Sequence, residues 1–388
     1  MLFSRKLFTV EALLGTGLGL GYLTSLRFFG FVGVSEILIF ISIVLLFMRH
    51  WKVFFFYNRS VEGYIKGYIL FVLFFQLPVV TLVTFIFTDY NSTPWHVISF
   101  IMGGALAFLL IHALRSHEFD FAQLTHYFFY TFVVTNLITF VLFPSSLDSV
   151  RYEGGANNPN QLLFYASSLS LLLLMYKKRL AIIGFPIITF IMFKTGSDAY
   201  LLTIFVTIFS YFIFLFFFSI RIKFLLKFLF FFATFFIFIF YLINTYSNDI
   251  LEIWLVADEG NARMSLMLNG LDVVRMSPLV GWGSGSFSGL TTSFEGYEAH
   301  STFIDLAMQL GIIFPVLIYG LMVVATFRKV RDREYLVAAF IAAFIVSGLF
   351  HYVARHFTFW VEFSIFYSYV FYDYKAKKSF KGRIRCVE

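Results

Sequence analysis

Charge and cysteine are what this chain has least of. Asp, Glu, Lys and Arg make up 13% of its 388 residues, against roughly 25% in soluble domains. So few charges cannot cover the apolar surface in water, which excludes a water-soluble globular fold. The single cysteine, Cys386, excludes a disulfide within the chain. Standing third from the last residue, it does not make a C-a-a-X lipidation box. The sequence also lacks HExxH, a Cys/His cluster, an outward-facing DxD and a Walker A loop. No GxSxG elbow occurs, so a Ser-His-Asp hydrolase has no anchor. Neither a metal nor a cofactor is expected.

What is present is apolar. Hydrophobic residues make up 60% of the chain and the mean hydropathy is +0.84. Runs of about 17–25 apolar residues read as helices crossing a hydrocarbon core of roughly 30 Å. Because the runs are continuous rather than alternating, a β-barrel is excluded. The 58 phenylalanines read as lipid-facing filler. The segment MLFSRKLF leads into an apolar run with no small-residue cleavage site, so an uncleaved first helix is expected. A net charge of +7 comes mostly from short basic loops, which orient membrane proteins, and does not point to nucleic acid.

Hydropathy predicts helices at 8–26, 30–48, 67–88, 96–114, 124–143, 161–176, 180–193, 199–219, 224–244, 301–327, 335–350 and 357–373. Alternating sides from a cytoplasmic N terminus puts 23 of the 29 basic residues inside. Only Arg27, Arg151, Lys194, Arg263, Arg275 and Arg355 fall outside. The positive-inside rule therefore supports about twelve transmembrane helices with both termini cytoplasmic. Removing the short helix at 180–193 would flip every later loop and put the basic tail, 374–388, outside. The expected fold is an all-α polytopic membrane protein, one integral domain over 1–388. One large external loop, 245–300, lies between the ninth and tenth helices.

The outer cations oppose that rule and need a reason, since charge near a bilayer is costly unless paired or functional. Ion pairs with Asp89, Asp148, Asp198, Asp258 or Glu295 are the plain explanation. The functional one starts from the loop 245–300, which carries Arg263, Arg275, a proline-glycine turn at 278–285, Glu295, Glu298 and His300. Arginine forks suit phosphate oxygens, and histidine is the natural general base near neutral pH. A lipid-diphosphate substrate with a reactive hydroxyl partner would use both. The loop 144–160 adds Arg151 and the turn around Asn160, which is placed to cap the following helix. The tight KTGSD loop holds Lys194 at the rim of the bundle. Glycines in GTGLGLG, 15–21, read as a close-packing face. The outer histidines His96, His300, His351 and His356 are scattered in sequence, and Glu11 and Glu36 stand isolated, so proton-coupled transport has little support.

Three blocks carry a resemblance. Arg263, then SPLVGWGSGSF at 277–287, then His300-Ser301-Thr302-Phe303 and Gly311 resemble the signature of the O-antigen polymerase and ligase superfamily. Asn158-Pro159-Asn160-Gln161 is similar to the polymerase branch, and Thr195-Gly196-Ser197 to a third block. That block often continues with Arg in the family; here Asp198 follows, and Lys194 is placed to supply the charge. The resemblance implies a metal-independent, inverting glycosyltransferase of the GT-C type in the bacterial cytoplasmic membrane, working on its outer face. His300 would deprotonate the acceptor hydroxyl. Arg263, with Arg151, Lys194, Arg275 and Asn160, would bind an undecaprenyl-diphosphate-linked oligosaccharide. A chain-length regulator and a flippase are the expected partners. A polymerase is favoured over a ligase acting on lipid A-core, and both over a flippase or transporter of the same lipid-linked sugar.

Overall fold

The computed structural model describes residues 9–24, 27–28, 32–51, 60–88, 93–142, 152, 154–156, 159–195, 198–219, 258–288 and 297–372. Regular structure among them is helical throughout. The helices are α1 (Val10–Leu20), α2 (Val34–His50), α3 (Val61–Phe87), α4 (Pro94–Ser116), α5 (Phe121–Leu142), α6 (Pro159–Tyr176), α7 (Lys178–Lys194), α8 (Asp198–Ser219), α9 (Asp258–Met276), α10 (Thr302–Leu310), α11 (Ile313–Arg331), α12 (Tyr335–Phe350) and α13 (Phe357–Phe371). Four of them, α3, α5, α11 and most of α4, are long and apolar enough to cross a membrane, and α1, α6, α8 and α12 are shorter apolar helices. Exposed Phe, Leu, Ile and Val line the outside of α2, α3 and α5, a surface suited to lipid rather than water. The protein is membrane-embedded.

Local chemistry sets many helix ends. Thr9 and Ser60 cap α1 and α3 by accepting the amides of Ala12 and Gly63, each at 3.2 Å. Glu36 accepts the amide of Gly33 at the start of α2 and pairs with Arg27 at 2.9 Å. α4 begins on Pro94 and ends at His117, whose φ is 59°. The glycines at 15–21 pack as expected. A Cβ on Gly15 would lie 2.5 Å from the Leu124 carbonyl of α5, and one on Gly17 would lie 2.9 Å from Ile39 of α2. At the centre of the bundle α13 is buried along nearly its whole length. Its Trp360 fills the space over Gly103 of α4.

Two sequence expectations change. The predicted helix 301–327 is two helices, because Gly311 has φ 80° and ends α10 there. Part of the predicted loop 245–300 is helical: α9 intersperses polar and apolar residues along its length, so it shows no apolar run. The predicted helix 224–244 and the tail 374–388 lie outside the described residues.

α9 and α10 form a small second core from Val273, Val274, Phe287, Ala299, Ile304, Ala307 and Met308. The glycine turn locks it to the bundle. Trp282 and Gly283 donate their amides to the carbonyls of Met308 and Gln309, at 2.8 and 3.0 Å, and Ile312 donates to Pro278 at 2.8 Å. The first two bonds satisfy carbonyls that the last turn of α10 leaves without partners. Gly281 and Gly283 take φ of 75° and 79°, open to glycine at little cost. From α3, Thr84 donates to the Trp282 carbonyl at 2.7 Å and Thr81 accepts the Ser284 amide at 2.7 Å. Gln76, the last residue of a π-helical turn in α3, donates to both Val280 and Leu310, each at 3.0 Å.

Candidate active site

His300 sits in the segment that leads into α10, immediately before the N-cap Ser301. It is half-buried and its φ is 54°. A non-glycine residue pays roughly 1–2 kcal/mol for this left-handed conformation, so surrounding contacts must hold it. On one side, both oxygens of buried Asp305 accept backbone amides, from Ala299 at 2.9 Å and Ser301 at 3.0 Å. On the other, Thr302 donates its amide to the His351 carbonyl at 2.9 Å and accepts the Val353 amide at 2.8 Å. Glu298, two residues before His300, pairs with Arg355 at 2.5 Å.

Arg263 reaches the same place from α9. Gly270 lets that helix lie close: a Cβ there would sit 2.7 Å from Ile304 and 3.1 Å from Ala299. Arg263 is seven residues earlier, two turns along the same face. Its positive charge acts on both His300 and His351. Burial lowers the His300 pKa from 6.5; Glu298 opposes this, and Arg263 and Arg355 add to it. His300 is thus a neutral imidazole at neutral pH, able to accept a proton. Burial, with the charge of Arg263 and the neighbouring His300, pushes His351 down to about 4. Burial, with Arg355 and Arg27, takes His356 down to about 3. His96 of α4 lies in the field of Arg355 and Glu298, and Phe164 of α6 packs on His351 and His356 at ring distances of 5.4 and 5.9 Å. His96, His300 and His356, scattered in sequence, thus all lie in the field of Arg355, and His351 lies in that of Arg263. Among the described residues, no three His, Cys, Asp or Glu side chains are grouped to hold a metal ion.

The other predicted residues divide. Asn160 lies in the first turn of α6 rather than at its cap, because the helix starts on Pro159. It is one turn from Phe164 on the same face, and so on the side of His351. Lys194 ends α7, and its carbonyl accepts the Tyr152 amide at 3.0 Å. Among the described residues no carboxylate pairs with Lys194 or Arg263. Arg275 is not brought to His300. It lies twelve residues beyond Arg263, about 18 Å along the axis and roughly 120° around it, and pairs with Asp272 at 2.7 Å. Arg151 lies outside the described residues. The carboxylate partners of Arg27, Arg275 and Arg355 are Glu36, Asp272 and Glu298, none of them among those expected.

Residues 183–319 match a family model described as O-antigen ligase. The chain carries a domain of the O-antigen polymerase and ligase superfamily. The superfamily match contains Lys194, Arg263, Arg275, the glycine turn, His300 and α10. Its members are glycosyltransferase-like enzymes. No curated protein matches the chain.

The roles of several side chains at this site had no signal in the sequence. Asp305 acts on two amides within six residues of it, and His351 and the Glu298–Arg355 pair act through contacts between distant segments. Glu362 of α13, fully buried, lines a small cavity with Phe164, Ser347 and Val353 just beneath the histidines. It stands alone in an apolar run and makes no pattern in the sequence.

Proposed function

We propose that this protein is a polysaccharide polymerase. It would transfer glycan repeats from an undecaprenyl-diphosphate donor to the end of another lipid-linked glycan, at the outer face of the bacterial cytoplasmic membrane. The observation that carries the reading is the placing of Arg263 and His300 together, within the superfamily match. The acceptor hydroxyl gives its proton to His300 as its oxygen attacks the anomeric carbon, and the diphosphate leaves carrying the negative charge. Arg263, exposed and without a carboxylate partner among the described residues, offers that leaving group a planar, permanently charged fork. Inversion at carbon and independence of metal belong to the same proposal, as do the twelve-helix GT-C-type arrangement and cytoplasmic termini.

The ligase alternative, transfer to lipid A-core, is favoured by the family description and weakened by the Asn158-Pro159-Asn160 turn. Both use the same donor and the same base. His300→Ala, expressed in a strain lacking this gene, is expected to lower transfer by about 10²–10⁴-fold while the protein remains in the membrane. Accumulation of lipid-linked single repeats marks a polymerase; accumulation of unligated long chains marks a ligase. Normal glycan from His300→Ala refutes the assignment.

A further inference from the structure

Asp305 does more than begin a helix. Its fully buried carboxylate spans the two peptide amides that flank His300, Ala299 at 2.9 Å and Ser301 at 3.0 Å. The N-cap of α10 is already supplied by Ser301, whose side chain accepts the Ile304 amide. The bond to Ala299 lies outside the helix and contributes nothing to capping it. Its effect is to close the backbone around one residue. With both neighbouring amides aimed at the same carboxylate, the residue between them takes φ 54° and its side chain leaves the ring. Ala299 and Ser301 are buried, so water does not compete for either amide. The Asp305 amide in turn donates to the Ser301 carbonyl at 2.7 Å, which ties the ring to the first turn of α10.

We propose that Asp305 is a positioning residue, fixing the direction of the His300 imidazole toward the acceptor hydroxyl. This rests on the reading of His300 as the base. Asparagine is the informative replacement. Its oxygen can accept one amide, but its NH₂ meets the other donor to donor, so one of the two bonds is lost at nearly unchanged volume. Glutamate keeps a carboxyl group with both oxygens, displaced by one methylene.

The test uses membranes from a strain lacking this gene, each carrying one full-length variant, supplied with that strain's own lipid-diphosphate-linked glycan. Rates are taken per folded molecule. Asp305→Asn is expected to lower kcat about 10²-fold, the size of loss that misplacing a reacting group brings. KM for the lipid-linked donor should stay within about twofold, because only the transition state uses the imidazole. Asp305→Glu should recover part of kcat, and serves as the test if the asparagine variant does not fold. The double variant Asp305→Asn/His300→Ala should be no slower than His300→Ala alone, since residues acting as a unit are not additive. A wild-type kcat for folded Asp305→Asn, a loss confined to KM, or a double variant slowed by the product of the two single losses overturns the proposal. Full activity in His300→Ala strikes the reading of the base itself, and is told apart because it appears without any change at Asp305.

Discussion

Arg355 and Glu298 meet at 2.5 Å, joining the loop after α12 to the segment that carries His300. The pair links chain positions 57 residues apart, and its two charges act on His300 in opposite directions.

Opposite shifts in the pH–rate profile follow. Glu298→Gln removes the charge that raises the His300 pKa, so the acid limb should move to lower pH. Arg355→Ala removes a charge that lowers it, so the limb should move to higher pH. Both variants should also lose rate, roughly tenfold for about 1.4 kcal/mol of misplacement. Transfer rates between pH 4.5 and 8 decide this; shifts of the same sign in both variants contradict it.

The two arginines of α9 should separate cleanly. Arg263→Lys keeps charge but loses the fork and is expected to raise KM for the lipid-linked donor several-fold, with Arg263→Ala worse. Arg275→Ala should change the rate by less than about twofold, because its exposed pair with Asp272 is of the kind worth little. Donor titrations on the two alanine variants provide the comparison, and an Arg275→Ala defect equal to that of Arg263→Ala would return Arg275 to the site.

Glycine substitutions probe the lock on the second core. A Cβ on Gly311 would lie 2.1 Å from the Leu279 carbonyl, and one on Gly281 would lie 2.5 Å from the Gln309 backbone, each at a left-handed φ. Alanine at either position should cost more than about 1 kcal/mol and lower the melting temperature in detergent. At Gly320 of α11 there is nothing within 4 Å, and alanine should raise stability by up to about 1 kcal/mol.

Acid should destabilise the fold through the buried histidines. The unfolded value is about 6.5, while His351 and His356 are held down to about 4 and about 3. Folding thus favours the neutral rings. Their contribution is complete above pH 6.5 and is lost as pH falls from there through about 4 and then about 3. Melting temperatures in detergent from pH 7.5 to 4 should fall, and His351→Gln should flatten the slope. A Gln variant as acid-sensitive as the parent removes His351 from the explanation.

Much of this arrangement could be read from the sequence, for identifiable reasons. Apolar runs locate helices because lipid accepts little else, and α4, α5, α6, α7 and α12 lie within a few residues of their predicted bounds. His300 and the glycine turn were visible because they interrupt that background. The break at Gly311 was hidden, since it depends on the Leu279 carbonyl lying against it. α9 was hidden because a helix with polar residues scattered among its apolar ones resembles a polar loop in hydropathy. The partners of Arg27 and Arg355 were hidden as well. Pairing depends on which segments the fold brings together, and Glu298 and Arg355 share no local pattern. The charge of Arg275 is legible in the sequence but its direction is not, and its place around the helix axis from Arg263 separates it from the site.

The π-helical turn of α3 changes the phase of that helix. A residue added to one turn rotates everything after it by roughly 100° relative to everything before it. Val61–Phe71 and Leu77–Phe87 can therefore present faces that a regular helix would hold in a fixed relation. The second segment uses this freedom to turn Thr81 and Thr84 toward the glycine turn. With a regular helix in its place, those two hydroxyls would point elsewhere in the bundle, and the platform beneath His300 would lose its footing on α3. The geometry around the histidine is thus set partly by a helical irregularity more than two hundred residues earlier in the chain.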